Sequence, residues 1–95
     1  MIRVDIGPRL VRTARKLGPR VTAEAETRLC QVAEHFGDPH LHSGLGLRKL
    51  GRVSYEARIW LDWRIVFILD GDRLIAYDIM NHNQIRIWLK NRGRG

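Results

Sequence analysis

Charged residues recur at every second position in the stretch of the chain that alternates most regularly between apolar and polar side chains. Glu56, Arg58 and Trp60 follow one another at a spacing of two, and Arg64 comes shortly after them. Side chains at this spacing share one face of a strand, so Arg64 is expected on the neighbouring strand, near Arg58. Two arginines on an open face repel each other unless an anion lies between them, which favours a phosphate cradle. Trp60 on that face could stack on a base or cover the sheet edge.

Further charged residues surround this stretch. Lys49 precedes it and Arg86 follows it, and both could reach the same face. A second interpretation is a solvated face on which the arginines pair with Glu56, Asp62 and Asp78. The spacing alone does not decide between a phosphate cradle and a paired, solvated face.

Histidines supply the candidates for proton transfer. His82 follows the last strand-like segment, and a histidine there could act as a general acid or base near neutral pH. Taken alone, it is better explained as a helix-start residue that makes local hydrogen bonds. His40 and His42, with Asp38 nearby, have the spacing of a weak metal site, but a loop that contacts RNA is the preferred interpretation. No metal and no cofactor are predicted.

The elements that position these residues follow from the spacing of apolar side chains. A period of two predicts strands, and a period near 3.6 predicts helices. The predicted order is β-α-α-β-β-β-α. Its elements are a strand at 2–6, a helix at 8–17, a helix from Thr22 to Phe36, strands at 55–61, 63–69 and 74–80, and a helix from Asn81 that frays at Gly93. Residues 38–52 are loop-like, with a brief strand near 46–50.

The predicted fold is a single α+β domain spanning residues 1–95. Consecutive strands joined by short turns must be antiparallel, and Asp70-Gly71 is a strong hairpin turn. We expect a small antiparallel sheet packed on an N-terminal helical hairpin and a C-terminal helix. One face of such a sheet can stay open and carry function.

Composition narrows the class of partner. The 95 residues carry 17 basic and 10 acidic side chains, for a formal net charge of +7, and most of the bases are arginine. Arginine offers a planar fork that suits phosphate, so a nucleic-acid partner is favoured over a merely soluble basic surface. The chain has no apolar run long enough to span a membrane. The single Cys30, interpreted as a core residue, is consistent with a reducing cytoplasm.

From residue 41 onward the pattern resembles the RelE/ParE toxin superfamily. The similarity covers just over half of the chain, and the N-terminal half agrees only in architecture. It is carried, in order, by Leu47-Arg48-Lys49-Leu50-Gly51, Tyr55-Glu56-Ala57-Arg58-Ile59, Asp62-Trp63-Arg64-Ile65-Val66-Phe67, the Asp-Gly turn at 70–71, and Asp78-Ile79-Met80-Asn81-His82. Each element alone is weak, but five in order at these spacings are fairly specific.

The resemblance implies a curved sheet backed by helices and an endoribonuclease of a type II toxin–antitoxin system. Such a toxin cuts mRNA in the ribosomal A site without a metal. The ribose 2′-hydroxyl attacks the adjacent phosphate, and an acid and a base move the protons. The resemblance also implies a cytoplasmic hetero-oligomer in which an acidic, partly disordered antitoxin segment covers the basic face.

Roles follow for individual residues from the same resemblance. The implied catalytic residues are His82 as acid or base, Arg64 as the phosphate-stabilising arginine, and the basic Arg58 and Lys49. The predicted substrate-binding residues are Asp62 and His42, which match site residues of one branch of the superfamily, together with Arg86, Trp60 and Arg48.

One departure from the superfamily pattern concerns the position four residues after the histidine. Tyr or Phe is usual there, whereas this chain has Arg86, and Asn83 replaces a frequent Asp. Arg86 could hold a phosphate or stack on a base. Two alternatives therefore stay open: a ParE-like inhibitor of DNA gyrase, and a non-catalytic RNA-binding relative. Retention of His82 beside Arg64 favours the nuclease.

Overall fold

A computed structural model describes residues 1–92 of the chain. They form an α+β structure built on one curved, mixed sheet of five strands in the order β1-β5-β4-β3-β2. In chain order the elements are β1 (Arg3–Ile6), α1 (Pro8–Leu17), α2 (Pro19–His35), α3 (Pro39–His42), a 3-10 turn (Ser43–Leu45), β2 (Leu47–Lys49), β3 (Ser54–Trp60), β4 (Trp63–Asp70), β5 (Arg73–Met80) and α4 (His82–Arg92).

The strands β3, β4 and β5 form the antiparallel meander that the period of two predicts. The prediction of a wholly antiparallel sheet is wrong, because β1 pairs with β5 in parallel, from Arg3 opposite Arg73 to Ile6 opposite Ala76. Parallel neighbours need a long connection, and the two helices with the meander supply one. Local alternation carries no information on this distant pairing.

Two other segments differ from the prediction. The second helix begins at Pro19 rather than at Thr22, because Gly18 adopts a φ of 99° and breaks the chain direction between α1 and α2. Thr22 is not a cap: its hydroxyl donates hydrogen bonds to the carbonyls of Gly18 and Ala14. The stretch 38–52 contains a short helix, a 3-10 turn and β2. Cys30 is exposed, so it is not a core residue.

The two faces of the sheet are covered to different extents. The helices α1 and α2 bury one face in the main apolar core, which includes Leu10, Val21, Ala25, Leu29, Val32, Ala57, Ile65, Phe67, Leu74 and Ala76. On the other face α4 packs Ile85 against Val66 and Met80. Because α4 packs against β4 and β5, the part of this face formed by β2 and β3 stays open. Arg48, Glu56 and Arg58 lie on this open part.

An ion-pair cluster fastens β1 to the turn end of β5. Asp5 accepts hydrogen bonds from Arg3 at 2.9 Å and from Arg73 at 2.7 Å, and Arg73 also donates to Asp70 at 3.1 Å. The bond from Arg3, followed by the bond from Arg73, holds the pKa of the Asp5 carboxyl below its ordinary value. The folded chain therefore binds this proton less readily than the unfolded chain.

Replacing Asp5 with asparagine is expected to lower the free energy of unfolding at neutral pH. A carboxyl with a lowered folded-state pKa contributes stability above its unfolded pKa, and this contribution is lost as the pH falls below about 4. Urea unfolding of wild type and Asp5→Asn should differ at pH 7 and converge as the pH falls through the lowered pKa of the folded-state Asp5 carboxyl. A difference that does not change with pH would contradict this role for Asp5.

Candidate active site

An open cleft of about 550 Å³ lies on the uncovered part of the sheet. Its floor is formed by β2, β3 and β4, one wall by the segment from α3 to β2, and the other by the start of α4. The lining residues are Pro39, His42, Ser43, Gly46, Leu47, Arg48, Glu56, Arg58, Arg64 and His82. Five of the nine predicted site residues are therefore brought together, namely His42, Arg48, Arg58, Arg64 and His82.

The centre of the floor is an opposed pair of arginines. Arg58 on β3 lies directly opposite Arg64 on β4. Directly opposite residues on one face have Cβ atoms about 5 Å apart, where like charges destabilise the sheet. The Arg58 side chain is exposed and has no hydrogen bond or ion pair to any residue in 1–92. Its five N–H donors are available to an anion beside Arg64.

A buried carboxylate holds Arg64 and Arg48 in place. The Glu56 side chain is 5% exposed; its Oε2 accepts hydrogen bonds from Arg48, with Nη2 at 2.9 Å. Its Oε1 lies 3.1 Å from Arg64 Nε, as an ion pair rather than an aligned hydrogen bond. Arg64 Nη1 also contacts the Asp62 carboxylate at 2.9 Å. The paired-face interpretation thus describes Arg64, whereas Arg58 has no carboxylate partner.

The expected third carboxylate partner lies elsewhere. Asp78 accepts a hydrogen bond from the Thr13 hydroxyl at 2.6 Å and one from the backbone of Ile79 at 2.8 Å. The Thr13 contact directs its carboxylate toward α1, on the far side of β5 from the arginine pair. Its charge therefore does not neutralise the cleft.

His82 is positioned by the cap of α4. The Asn81 side chain accepts a hydrogen bond from the backbone N–H of Gln84, and the Gln84 side chain accepts one from the backbone N–H of Asn81, both at 2.9 Å. This reciprocal pair is a capping box, so Asn81 rather than His82 makes the local helix-start bonds. The His82 ring has no hydrogen bond to residues 1–92 and borders the cleft.

A smaller cavity of about 400 Å³ continues from the cleft past His82. Its lining residues are Asp62, Arg64, Asn81, His82 and Asn83. His82 and Arg64 therefore border both cavities. An extended substrate that ran from one cavity to the other would pass between these two side chains.

The Asn81→Ala variant is expected to lower the free energy of unfolding by about 1 kcal/mol, because it removes the side-chain bond to the first turn of α4. Asn83→Ala is the matched control: Asn83 lies on the same turn and is exposed, and it makes no capping bond. Urea unfolding of both variants measures the difference. Equal losses in the two variants would show that the capping box does not hold the start of α4.

The wall opposite His82 depends on a histidine and a glycine. His42 Nε2 accepts a hydrogen bond from the backbone of Gly37 at 3.1 Å, and its ring stacks on Phe36 at 5.7 Å. Gly46 has a φ of 65°, and a Cβ atom there would lie 3.0 Å from the Cβ of Arg58. Its carbonyl accepts the backbone N–H of Arg58. The absence of a side chain at Gly46 therefore lets this wall approach the arginine floor.

Lys49 and Arg86 do not line the cleft. Lys49 pairs with Tyr55 on β3, so alternation places it on the face opposite to that of Arg48. Arg86 lies one helical turn beyond His82 on the same flank of α4 and is exposed. The structure therefore puts Arg48 at the floor where Lys49 was expected, and leaves Arg86 beside the cleft.

Trp60 and Asp62 lie at the hairpin end of the floor, outside the main cleft. The strand register shifts by one between Arg58 and Trp60, which removes Trp60 from the face of Arg58. The Trp60 ring packs instead against the main core, with the guanidinium of Arg20 at 4.8 Å from its centroid. Asp62 borders the smaller cavity and contacts Arg64.

Sequence reasoning named Glu56 only as a possible partner of the arginines on a solvated face and missed that it is buried and orients them. It did not identify Gly46, Ser43 and Pro39 as cleft residues. A signal existed for two of them. Glu56 has the same parity as Arg58 on a strand whose other residues are mostly apolar, and Gly46 is the first residue of the short strand predicted near 46–50. For Pro39 and Ser43 no pattern in the loop-like segment pointed to the cleft.

Residues 1–92 contain no group of three or more His, Cys, Asp or Glu side chains that could hold a metal ion. His40 and His42 are therefore not part of such a group. Within the same range, no helix is both long and apolar enough to cross a membrane.

Comparison with known proteins gives one informative similarity. No protein-family profile matches the chain. No curated protein matches it either. The solution structure of HP0894 from Helicobacter pylori, described as a conserved hypothetical protein, is similar with a TM-score of 0.54 and 19% sequence identity. The similarity covers 87% of this chain and 97% of HP0894, and at this identity it shows the fold alone.

Proposed function

We propose that the chain is the toxin of a type II toxin–antitoxin system, an endoribonuclease that cleaves mRNA on the ribosome without a metal ion. The observation that carries the proposal is the convergence of Arg58, Arg64 and His82 on one open cleft. An unpaired arginine opposite a fixed arginine is suited to a phosphodiester, and an adjacent imidazole can move a proton at neutral pH. The resemblance to the RelE/ParE superfamily rests on the same residues.

The proposed reaction needs two proton transfers and one stabilised phosphorane. The ribose 2′-hydroxyl loses its proton to a base and attacks the adjacent phosphorus, while the bond from phosphorus to the 5′-oxygen breaks. An acid protonates that oxygen, and a 2′,3′-cyclic phosphate remains. Arg58 and Arg64 donate hydrogen bonds to the non-bridging oxygens as charge develops, and His82 serves as one of the two proton-transfer groups.

The neighbouring residues then have supporting roles. Glu56 keeps the guanidinium of Arg64 fixed, so Arg64 needs no reorganisation when charge develops on the phosphate. Arg48 at the floor of the cleft and the exposed Arg86 beside it are suited to flanking phosphates. The openness of the cleft suits a single strand presented in an extended form.

Induction of the chain alone in growing bacteria, with primer extension on a reporter mRNA, tests the proposal. Growth arrest with cuts inside translated codons, lost in His82→Ala, is the expected result. Arrest with intact mRNA would contradict the nuclease and would favour a gyrase inhibitor, which the alternative ParE-like interpretation names. A parallel assay of DNA supercoiling distinguishes that outcome.

A second candidate, a non-catalytic RNA-binding protein of the same fold, is favoured by two observations. No Tyr, Phe or Trp side chain lines the cleft in the described part of the chain, and Arg86 occupies the position where the superfamily has an aromatic ring. Binding of RNA by the purified chain, with neither growth arrest nor cleavage, would support this candidate.

The proposed partner is an antitoxin with an acidic, partly disordered segment that folds on the basic surface and forms a hetero-oligomer with the chain. The net charge of +7 supports this complementarity. High-level production of the free chain in growing bacteria without a partner would contradict it.

A further inference from the structure

The exposed side of α1 carries a basic edge that faces a single carboxylate. Arg9, Arg12 and Lys16 are exposed and, with Thr13 and Asp78, line a polar cavity of about 180 Å³. α1 itself contains no acidic residue. Asp78 is already used by Thr13 and a backbone N–H, and its distance to Arg9 Nε is 3.8 Å. Three cations therefore face a cavity with one partly satisfied carboxylate.

This cavity adjoins a crevice of about 510 Å³ between α1 and α4. The crevice has apolar walls that include Leu17, Trp63, Met80, Ile87 and Trp88. Ile87 is 61% exposed, which is unusual for an isoleucine on a packed helix. The amide side chains of Gln84 and Asn91 also line the crevice. The Gln84 oxygen already accepts the Asn81 N–H, so Gln84 offers its N–H donors, whereas Asn91 offers both donors and an acceptor.

A stack of rings and guanidinium groups fixes the geometry of the crevice. Tyr77 stacks on Trp88 with centroids 5.5 Å apart, Arg9 lies 5.5 Å from the Tyr77 centroid, and Arg92 lies 4.7 Å from that of Trp88. A guanidinium that lies over a ring keeps its N–H groups free at its edge. Arg9 is thereby ordered without a loss of its hydrogen-bond donors.

We propose that this α1–α4 crevice binds one nucleotide unit of an RNA strand, outside the cleft. Arg9, Arg12 and Lys16 hold the phosphate in the polar cavity. The unstacked base enters between the apolar walls, where the Gln84 and Asn91 amides meet its edge. Polar donors beside an apolar slot are the usual means of holding a single-stranded nucleotide. The choice of RNA as the nucleic acid rests on the proposed function.

Helix α4 is the wall that the crevice shares with the cleft. At 100° per residue, His82 and Arg86 lie on one flank of α4, and Gln84, Trp88 and Asn91 lie on the other. A single strand that crosses the first turn of α4 would contact both sites. The crevice would then hold the RNA on one side of the bond that the cleft receives.

The test uses a fluorescein-labelled, fully 2′-O-methylated single-stranded RNA, which binds but cannot be cleaved because the nucleophile is blocked. Fluorescence anisotropy measures its dissociation constant for the full chain and for variants. Arg12→Glu is expected to weaken binding about tenfold and to reduce the salt dependence. Arg15→Glu is the matched control, because it makes the same charge change on the same helix but lines the other side of α1. It should weaken binding less than about twofold.

Each outcome separates this inference from the proposed function. Equal losses in Arg12→Glu and Arg15→Glu would overturn the crevice site, because net charge alone would explain them. If Arg58→Ala weakens RNA binding and Arg12→Glu does not, the crevice site is also overturned, and the cleft remains the RNA-binding site. If Arg12→Glu weakens RNA binding and Arg58→Ala does not, the result supports the crevice site and contradicts RNA binding by the cleft. Capture of a glutamate-rich peptide by the crevice, with RNA binding unaffected in Arg12→Glu, would assign it to an acidic protein and overturn the proposal.

Indole N–H signals give a second readout that does not depend on charge. Trp63 and Trp88 line the crevice, whereas Trp60 lines neither site. Addition of the methylated RNA should shift the Trp63 and Trp88 resonances in a proton–nitrogen correlation spectrum and leave Trp60 in place. Unchanged Trp63 and Trp88 signals at saturating RNA would overturn the proposal.

Discussion

The His82→Ala variant is expected to cleave mRNA on ribosomes about 10² to 10⁴ times more slowly than wild type, because it removes a group that moves a proton in the transition state. The fold should be preserved, since the His82 ring is exposed and makes no hydrogen bond to residues 1–92. Primer extension on mRNA bound to purified ribosomes, followed over time, measures the rate. Growth arrest on induction should disappear in parallel.

His40→Ala provides the matched control. His40 is also an exposed histidine, but it does not line the cleft. Its replacement should leave the cleavage rate within about twofold of wild type, as expected for a surface change away from the site. Circular dichroism of both variants confirms equal folding. Cleavage at the wild-type rate by His82→Ala would remove His82 from the chemistry and with it the main support for the proposed mechanism.

The Glu56→Gln variant is expected to lower the free energy of unfolding by about 3 kcal/mol, because one buried carboxylate neutralises two guanidinium groups. Arg64 is only 16% exposed and would keep its charge with less compensation, whereas Arg48 is 66% exposed and can be solvated. Because Arg48 can be solvated, the expected decrease in the free energy of unfolding lies at the lower end of the range for a broken buried ion pair. Urea unfolding at neutral pH measures it. Glutamine keeps the shape of the side chain, so the change reports on charge.

Asp62→Asn is the control for the same arginine. Asp62 also contacts Arg64 at 2.9 Å, but it is 63% exposed. Water screens an exposed pair, so the expected loss is at most about 1 kcal/mol. Equal losses in the two variants would mean that burial of Glu56 does not determine the strength of its pairing. Cleavage by Glu56→Gln should also fall, since Glu56 acts through the orientation of Arg64.

Local patterns predicted the parts of the fold that depend on neighbours in the chain. The period of two located β3, β4 and β5, and Asp70-Gly71 marked the hairpin, where Gly71 has a φ of 64°. The same alternation placed Arg58 and Arg64 on one face of adjacent strands. These features follow from the pleat of a strand and from short turns, which a sequence expresses directly.

The errors arise where register or distance in the chain decides the outcome. Alternation identifies the face of a strand residue only as far as the next register shift. Because the register shifts after Arg58, the prediction assigned Trp60 to the wrong face. Lys49 and Arg48 differ by one position, and only the pairing of β2 with β3 shows which of them faces the cleft. The role of Glu56 required knowledge of its burial, because an exposed glutamate at the same spacing would be a weak partner.

The parallel pairing of β1 with β5 has a consequence for the order in which the chain folds. The meander of β3, β4 and β5 joins neighbours through turns of a few residues, so its contacts close small loops. The pairing of Arg3 with Arg73 closes a loop of about 70 residues. Closing this loop costs more chain entropy than closing the turns of the meander, so the pairing of β1 with β5 forms later. The strands β3 and β4, which carry Arg58 and Arg64, should therefore assemble early with β5, and β1 should join last. In doing so β1 covers an edge of β5 that would otherwise be open to pairing with another chain.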